Sequence, residues 1–192
     1  PASGAEHQFS HLWDMQNHMY KGETPSHGFK VGIGTLASTA LYEHLLGLDA
    51  DSLDIDAALR RAPSPEDVER EAAAAFDAGD LREAALRETR AKRVDGPRLR
   101  EQLVRLRGGW EKTRARLRGH LIGFDEARDM LREAGCPCGP EAIGISRERL
   151  RRSFTQARLI RRRYTCLDFA ERWGLTDAAL DAIFGPGGRW GE

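Results

Sequence analysis

The chain has 192 residues, of which 40% are hydrophobic, 31% charged and 7% aromatic. That composition supports a packed core and excludes a disordered, collagenous or disulfide-dense chain. Lys plus Arg equals Asp plus Glu at 30 each, so bulk charge gives no case for a nucleic-acid binder.

The zero net charge hides an asymmetry. Residues 1–96 hold 10 basic and 17 acidic side chains, and residues 97–192 hold 20 basic and 13 acidic. Two halves that fold against one another and neutralise account for this without a special ligand.

In chain order, residues 5–20 predict a helix, with Phe9, Leu12, Trp13, Met15 and Met19 at helical spacings. Lys21-Gly22-Glu23-Thr24-Pro25-Ser26 predicts a loop. Residues 29–46 predict a second, largely buried helix, in which Gly32, Gly34, Ala37 and Ser38 permit close packing. Ser64-Pro65-Glu66-Asp67 is a helix start: Ser64 caps, Pro65 suits the first turn and Asp67 lies three residues after the cap. Gly79 ends that helix, and residues 81–93 continue as the next.

Asp95-Gly96-Pro97 predicts a break, followed by helices over 98–107, 110–122 and 124–134 with glycines between them. After a turn-rich stretch at 135–140, Ser146 caps a long helix expected to run through Arg163. Leu150, Phe154, Ala157 and Ile160 form its apolar stripe and arginines, Arg161 and Arg163 among them, read as its solvated faces. A short element at 167–173 and a helix from Thr176 to Gly185 finish the chain. No segment alternates as a strand, and the expected class is all-α, a helical bundle over residues 1–192.

Cys136, Cys138 and Cys166 are too few and too oddly spaced for a disulfide framework or a CxxC site, which favours a reducing, cytoplasmic setting. The most apolar stretch, 31–48, contains Glu43 and His44 and predicts no membrane span.

The chemistry-bearing residues cluster early. Four of the six histidines, His7, His11, His18 and His27, lie in the first thirty residues. Spacings of four and seven place His7, His11 and His18 on one side of the first predicted helix, more imidazoles than core packing needs. Neutral imidazole is the commonest metal ligand and a natural proton carrier. His18 and His44 read as structural. The run His7-Gln8-Phe9-Ser10-His11 is not a metallopeptidase H-E-x-x-H, because Gln8 cannot act as a carboxylate base. Gly32-Ile33-Gly34-Thr35-Leu36-Ala37 matches a dinucleotide fingerprint by letters only, since no buried strand precedes it.

Ser3-Gly4-Ala5-Glu6-His7, Ser10-His11 and Ser26-His27-Gly28-Phe29-Lys30-Val31-Gly32-Ile33-Gly34 together resemble the sn-glycerol-1-phosphate dehydrogenases. These belong to the wider group of iron-containing alcohol dehydrogenases, glycerol dehydrogenases and dehydroquinate synthases. The closing segments Ile143-Gly144-Ile145-Ser146 and Ile160-Arg161-Arg162-Arg163-Tyr164-Thr165-Cys166-Leu167-Asp168 resemble the same family, whereas the middle of the chain matches only as helices.

The resemblance implies the helical C-terminal domain of a two-domain enzyme that reduces dihydroxyacetone phosphate to sn-glycerol 1-phosphate. It implies a divalent metal (Zn, Ni or Fe) held by one Asp and two His. His7 and His27 match the two His ligands, and the Asp lies upstream of the serine-glycine motif, before Pro1. NAD(P) would be bound mainly by an N-terminal nucleotide-binding domain that this chain lacks. The resemblance further implies a catalytic or proton-relaying His11 and a substrate contact from Lys30. The expected partner is a phosphorylated small molecule, with no nucleic acid and no membrane; a homo-oligomer is compatible with it.

A related glycerol dehydrogenase or a dehydroquinate synthase-like lyase is the nearest alternative. Those relatives usually place Glu after the His-Gly pair, where this chain has Phe29. A non-catalytic helical binding module is the alternative from another class.

Overall fold

The computed structural model describes residues 4–94 and 96–191. Ser3 of the serine-glycine motif and Asp95 of the expected break lie outside the described residues. Among the described residues there are eleven α-helices and no strand, so the all-α expectation holds. No helix is long and apolar enough to cross a membrane.

The first two helices set the frame. In α1 (Ala5–Met15), Ala5, Phe9, Leu12 and Trp13 are buried on one face at i, i+4, i+7 and i+8. Burial of each large side chain contributes about 1.5–3 kcal/mol. In α2 (His27–Gly47), Ile33, Leu36, Ala37, Ala40, Leu41 and Leu45 are buried. The helix is apolar nearly all round, as a central helix must be. It contacts α1, α7 (Trp110–Arg118), α8 (Phe124–Glu133), α10 (Cys166–Arg172) and α11 (Thr176–Phe184).

Gly34 decides how near α1 comes to α2. A Cβ built on Gly34 would lie 2.4 Å from the carbonyl oxygen of Glu6, inside any permitted contact. Only glycine lets the two backbones meet at that point. The other side of α1 packs on α9 (Arg147–Leu159), where the buried Trp13 indole donates to Ser153 Oγ at 3.0 Å. Phe9 meets Phe154 edge-to-face with ring centres 5.0 Å apart.

The remaining helices wrap this centre: α3 (Ile55–Arg60), α4 (Pro65–Ala75), α5 (Asp80–Lys92) and α6 (Gly96–Gly108). The Ser64–Asp67 capping box forms as expected, each side chain accepting from the other's backbone N–H. Three boundaries differ from expectation in ways that matter. Helix α1 stops at Met15 rather than Tyr20, because Asn17 enters the left-handed region at φ 51°. His18 therefore leaves the helix; it is buried, with Nε2 donating to the Ile143 carbonyl at 2.7 Å and Nδ1 accepting from Arg149 at 2.7 Å. That is a structural role, as expected.

Helix α2 begins at His27, two residues earlier than predicted, because Ser26 Oγ caps it by accepting from the Phe29 N–H at 3.2 Å. Helix α9 stops at Leu159, so Arg161, Arg162 and Arg163 lie on a loop instead of a helix face. Helix α3 was not expected at all; Asp54 caps it by accepting from the Ala57 N–H at 2.9 Å.

Candidate metal and proton-transfer site

The close approach at Gly34 sets the start of α1 beside the start of α2, and three imidazoles meet there. The ring centres lie 5.5 Å apart for His7 and His27, 6.3 Å for His7 and His11, and 6.2 Å for His11 and His27. His7 and His11 are one turn apart on α1 and share a face; His27 is the first residue of α2. His7 and His11 are half-buried and His27 is exposed, so the triangle sits at the surface.

Two of the rings are anchored through Nδ1. Glu6 Oε1 lies 3.0 Å from His7 Nδ1. An ionised carboxylate only accepts, so that nitrogen holds the proton and Nε2 keeps its lone pair. Burial pushes the Glu6 carboxyl up, but hydrogen bonds from His7 and from the backbone of Gly4 and Glu6 outweigh it and hold the group below its ordinary value. His27 Nδ1 is 3.1 Å from the fully buried Ser10 Oγ. Anchoring one imidazole nitrogen to a carboxylate or hydroxyl is how metal-binding histidines are oriented.

Ring spacing agrees with that use. Two imidazoles on one tetrahedral ion, at about 2.0 Å from metal to nitrogen, have ring centres roughly 5 Å apart. Among the described residues no three His, Cys, Asp or Glu side chains form a group able to hold a metal ion. What His7 and His27 offer together is a pair of imidazole donors. That donor chemistry fits a divalent ion of the Zn, Ni or Fe(II) kind.

His11 differs from the other two. Among the described residues neither of its ring nitrogens has a hydrogen-bond partner, and the ring borders a cavity. Burial first, then the positive charge of Arg161, pushes its pKa down, with Asp14 pulling the other way. A neutral, unanchored imidazole is suited to pick up or give a proton.

Lys30 is nine-tenths buried and more, at 3% exposure, and its ammonium is ion-paired with Asp14 one turn beyond His11. The pair is neutral overall, and at His11 it is the Asp14 carboxylate that is felt. The sequence assigned no role to Glu6 and Ser10, which it held only as parts of the histidine motifs, or to Asp14. The readable signals were an acid directly before His7, a hydroxyl three residues after it, and an acid three residues after His11.

Gln8, set aside in the sequence as a failed catalytic base, ties the closing segment to α1. Its amide donates to the Arg163 carbonyl at 3.4 Å and its oxygen accepts from Thr165 Oγ1 at 3.0 Å. Thr165 in turn opens α10 through a reciprocal cap with Asp168. Asp168 also accepts from the buried Lys92 ammonium at 2.6 Å.

Three comparisons with known proteins bear on this arrangement. The chain is 50% identical over 44 residues to a glycerol-1-phosphate dehydrogenase [NAD(P)+] of Halalkalibacterium halodurans, covering 23% of this chain and 11% of that protein. It is 41% identical over 56 residues, and 49% over 43, to enzymes of the same name from two strains of Methanococcus maripaludis. Those matches cover 29% and 22% of this chain and 17% and 13% of the relatives. The matched part therefore spans less than a fifth of each relative's length. No family model and no solved structure matches the chain. Over these stretches the chain resembles glycerol-1-phosphate dehydrogenases.

Proposed function

We propose that this chain is the helical, metal-binding part of an NAD(P)-dependent sn-glycerol-1-phosphate dehydrogenase that reduces dihydroxyacetone phosphate, with residues 1–192 forming that one domain. The observation that supports this most strongly is the convergence of His7, His11 and His27, two rings anchored at Nδ1 and the third left open. The matches to three dehydrogenases of that name point the same way.

In this reading His7 and His27 hold the divalent ion, which when bound supplies Lewis-acid polarisation of the substrate carbonyl. NAD(P), held mainly by sequence beyond this chain, supplies the hydride. Glu6 keeps the His7 ring in the tautomer that leaves Nε2 available, and Ser10 holds the orientation of the His27 ring. His11 passes the proton to the oxygen that becomes the alcohol. Burial and the charge of Arg161 depress its basicity, and its ring nitrogens, unbonded among the described residues, leave it free to relay. Lys30 is locked to Asp14, so a direct contact from it to the phosphorylated substrate requires that ion pair to open.

The test is an assay of NAD(P)H oxidation by the protein expressed from its complete reading frame, with dihydroxyacetone phosphate and with dihydroxyacetone. The phosphorylated substrate should be strongly preferred, and His11→Ala should lower kcat by about 10²-fold while metal content stays full. Equal rates with both substrates, or no oxidation with either, would refute the reading.

A further inference from the structure

Beside His11 a cavity of about 460 Å³ opens between the start of α1 and the loop that follows α9. Gly4, Gln8 and His11 form its α1 side, and Glu88 and the three consecutive arginines Arg161, Arg162 and Arg163 form the other. We infer that this cavity is a subsite for a phosphoryl group, with Arg161 as its principal contact. The inference relies on the dehydrogenase reading for the identity of the substrate, though not for the anion chemistry.

The loop is built to hold its shape. Glu88 accepts from the Arg162 backbone N–H at 3.1 Å and from its guanidinium at 3.0 and 3.1 Å. The Gln8 amide holds the carbonyl of Arg163, and Thr165 is bonded back to Gln8. The loop is thus pinned from both sides by residues distant in sequence. Glu88 neutralises Arg162. Arg161 is different: its Nη1 donates to the Ile160 carbonyl at 3.1 Å, a neutral acceptor, and among the described residues it has no carboxylate partner. Its charge is felt at His11, where it helps push the imidazole pKa down.

Lys30 cannot take the phosphoryl group directly without giving up Asp14, because its buried ammonium is already paired there. Arg161 is exposed and pays no such penalty. A guanidinium presents a planar fork that matches two phosphate oxygens at once. A substrate whose reacting oxygen meets His11 would lay its phosphoryl end into the neighbouring cavity, against this fork.

The experiment is a titration of the chain with inorganic phosphate at constant ionic strength, followed through the His11 imidazole signals by NMR. Wild type, Arg161→Gln and the exposed, remote Arg116→Gln are compared, with circular dichroism to check folding. Saturable binding that moves the His11 signals, is weakened at least tenfold in Arg161→Gln and is unchanged in Arg116→Gln is the expected result. Glycerol phosphate should compete with inorganic phosphate. No saturable binding, equal affinities in the two variants, or a His11 ring that ignores phosphate would overturn the inference. So would displacement by adenosine 2′-phosphate but not by glycerol phosphate, which would make the cavity a cofactor subsite. A parallel Ni²⁺ titration of His27→Ala scores the metal reading separately, since loss of ion binding there leaves the phosphate result untouched.

Discussion

Gly34→Ala tests whether the α1–α2 approach builds the histidine site. The added methyl would lie 2.4 Å from the Glu6 carbonyl oxygen and 3.1 Å from both the Glu6 carbonyl carbon and its Cα. These are backbone atoms of α1, so no side chain can rotate away; the helices must separate by roughly 1 Å. Overpacking of this kind costs about 1–3 kcal/mol. Alanine returns about 1 kcal/mol of helix propensity over glycine. The net loss should be about 0–2 kcal/mol, read as a lower urea midpoint at unchanged m-value. The same separation moves His7 and its Glu6 anchor away from His27, so affinity for Zn²⁺ or Ni²⁺ should fall at least tenfold. Gly32→Ala is the control, because its methyl meets the flexible end of the Leu131 side chain, Cδ2 at 3.3 Å and Cδ1 at 3.7 Å. That variant should be as stable as wild type or better and should bind metal normally. If Gly34→Ala matched Gly32→Ala in both stability and metal affinity, the close-approach argument would be wrong.

Other outcomes follow from the same geometry. Glu6→Gln frees the His7 tautomer and should weaken metal binding about 10–100-fold with little change in stability, measured by competition with a chromophoric chelator. Asp168→Ala strands the buried Lys92 charge and removes the Thr165 cap, and should cost about 3–5 kcal/mol in urea denaturation. The Arg162 hydrogen bonds and charge hold the Glu88 carboxyl down at about 2, against an ordinary 4.5. Its contribution to stability is therefore present above the ordinary value and is lost as pH falls toward 2. Wild type should lose more stability than Glu88→Gln between pH 5 and pH 2; parallel acid titrations of the two would show the reasoning false.

The helical class, the Ser64–Asp67 box and the small-residue contact on α2 were legible because each depends on local pattern alone. The convergence of His7, His11 and His27 was partly legible: one-turn spacing put the first two on a face, but nothing local says where His27 arrives. The loop at 161–163 was not legible. No Gly or Pro follows Leu159, and the helix ends where long-range bonds from Gln8 and Glu88 capture the backbone of Arg163 and Arg162. The resemblance makes Lys30 a substrate contact, and its burial against Asp14 depends on α1 and α2 lying side by side. The departure of His18 from the helix turned on one left-handed Asn17, which propensity permits but does not require.

The most direct measurement of the central claim is a Ni²⁺ titration of the chain with the imidazole resonances of His7 and His27 followed together. Both rings should broaden along one isotherm, and His27→Ala should relieve the effect at His7. If His7 responds to the ion unchanged when His27 is gone, the two side chains do not share a metal.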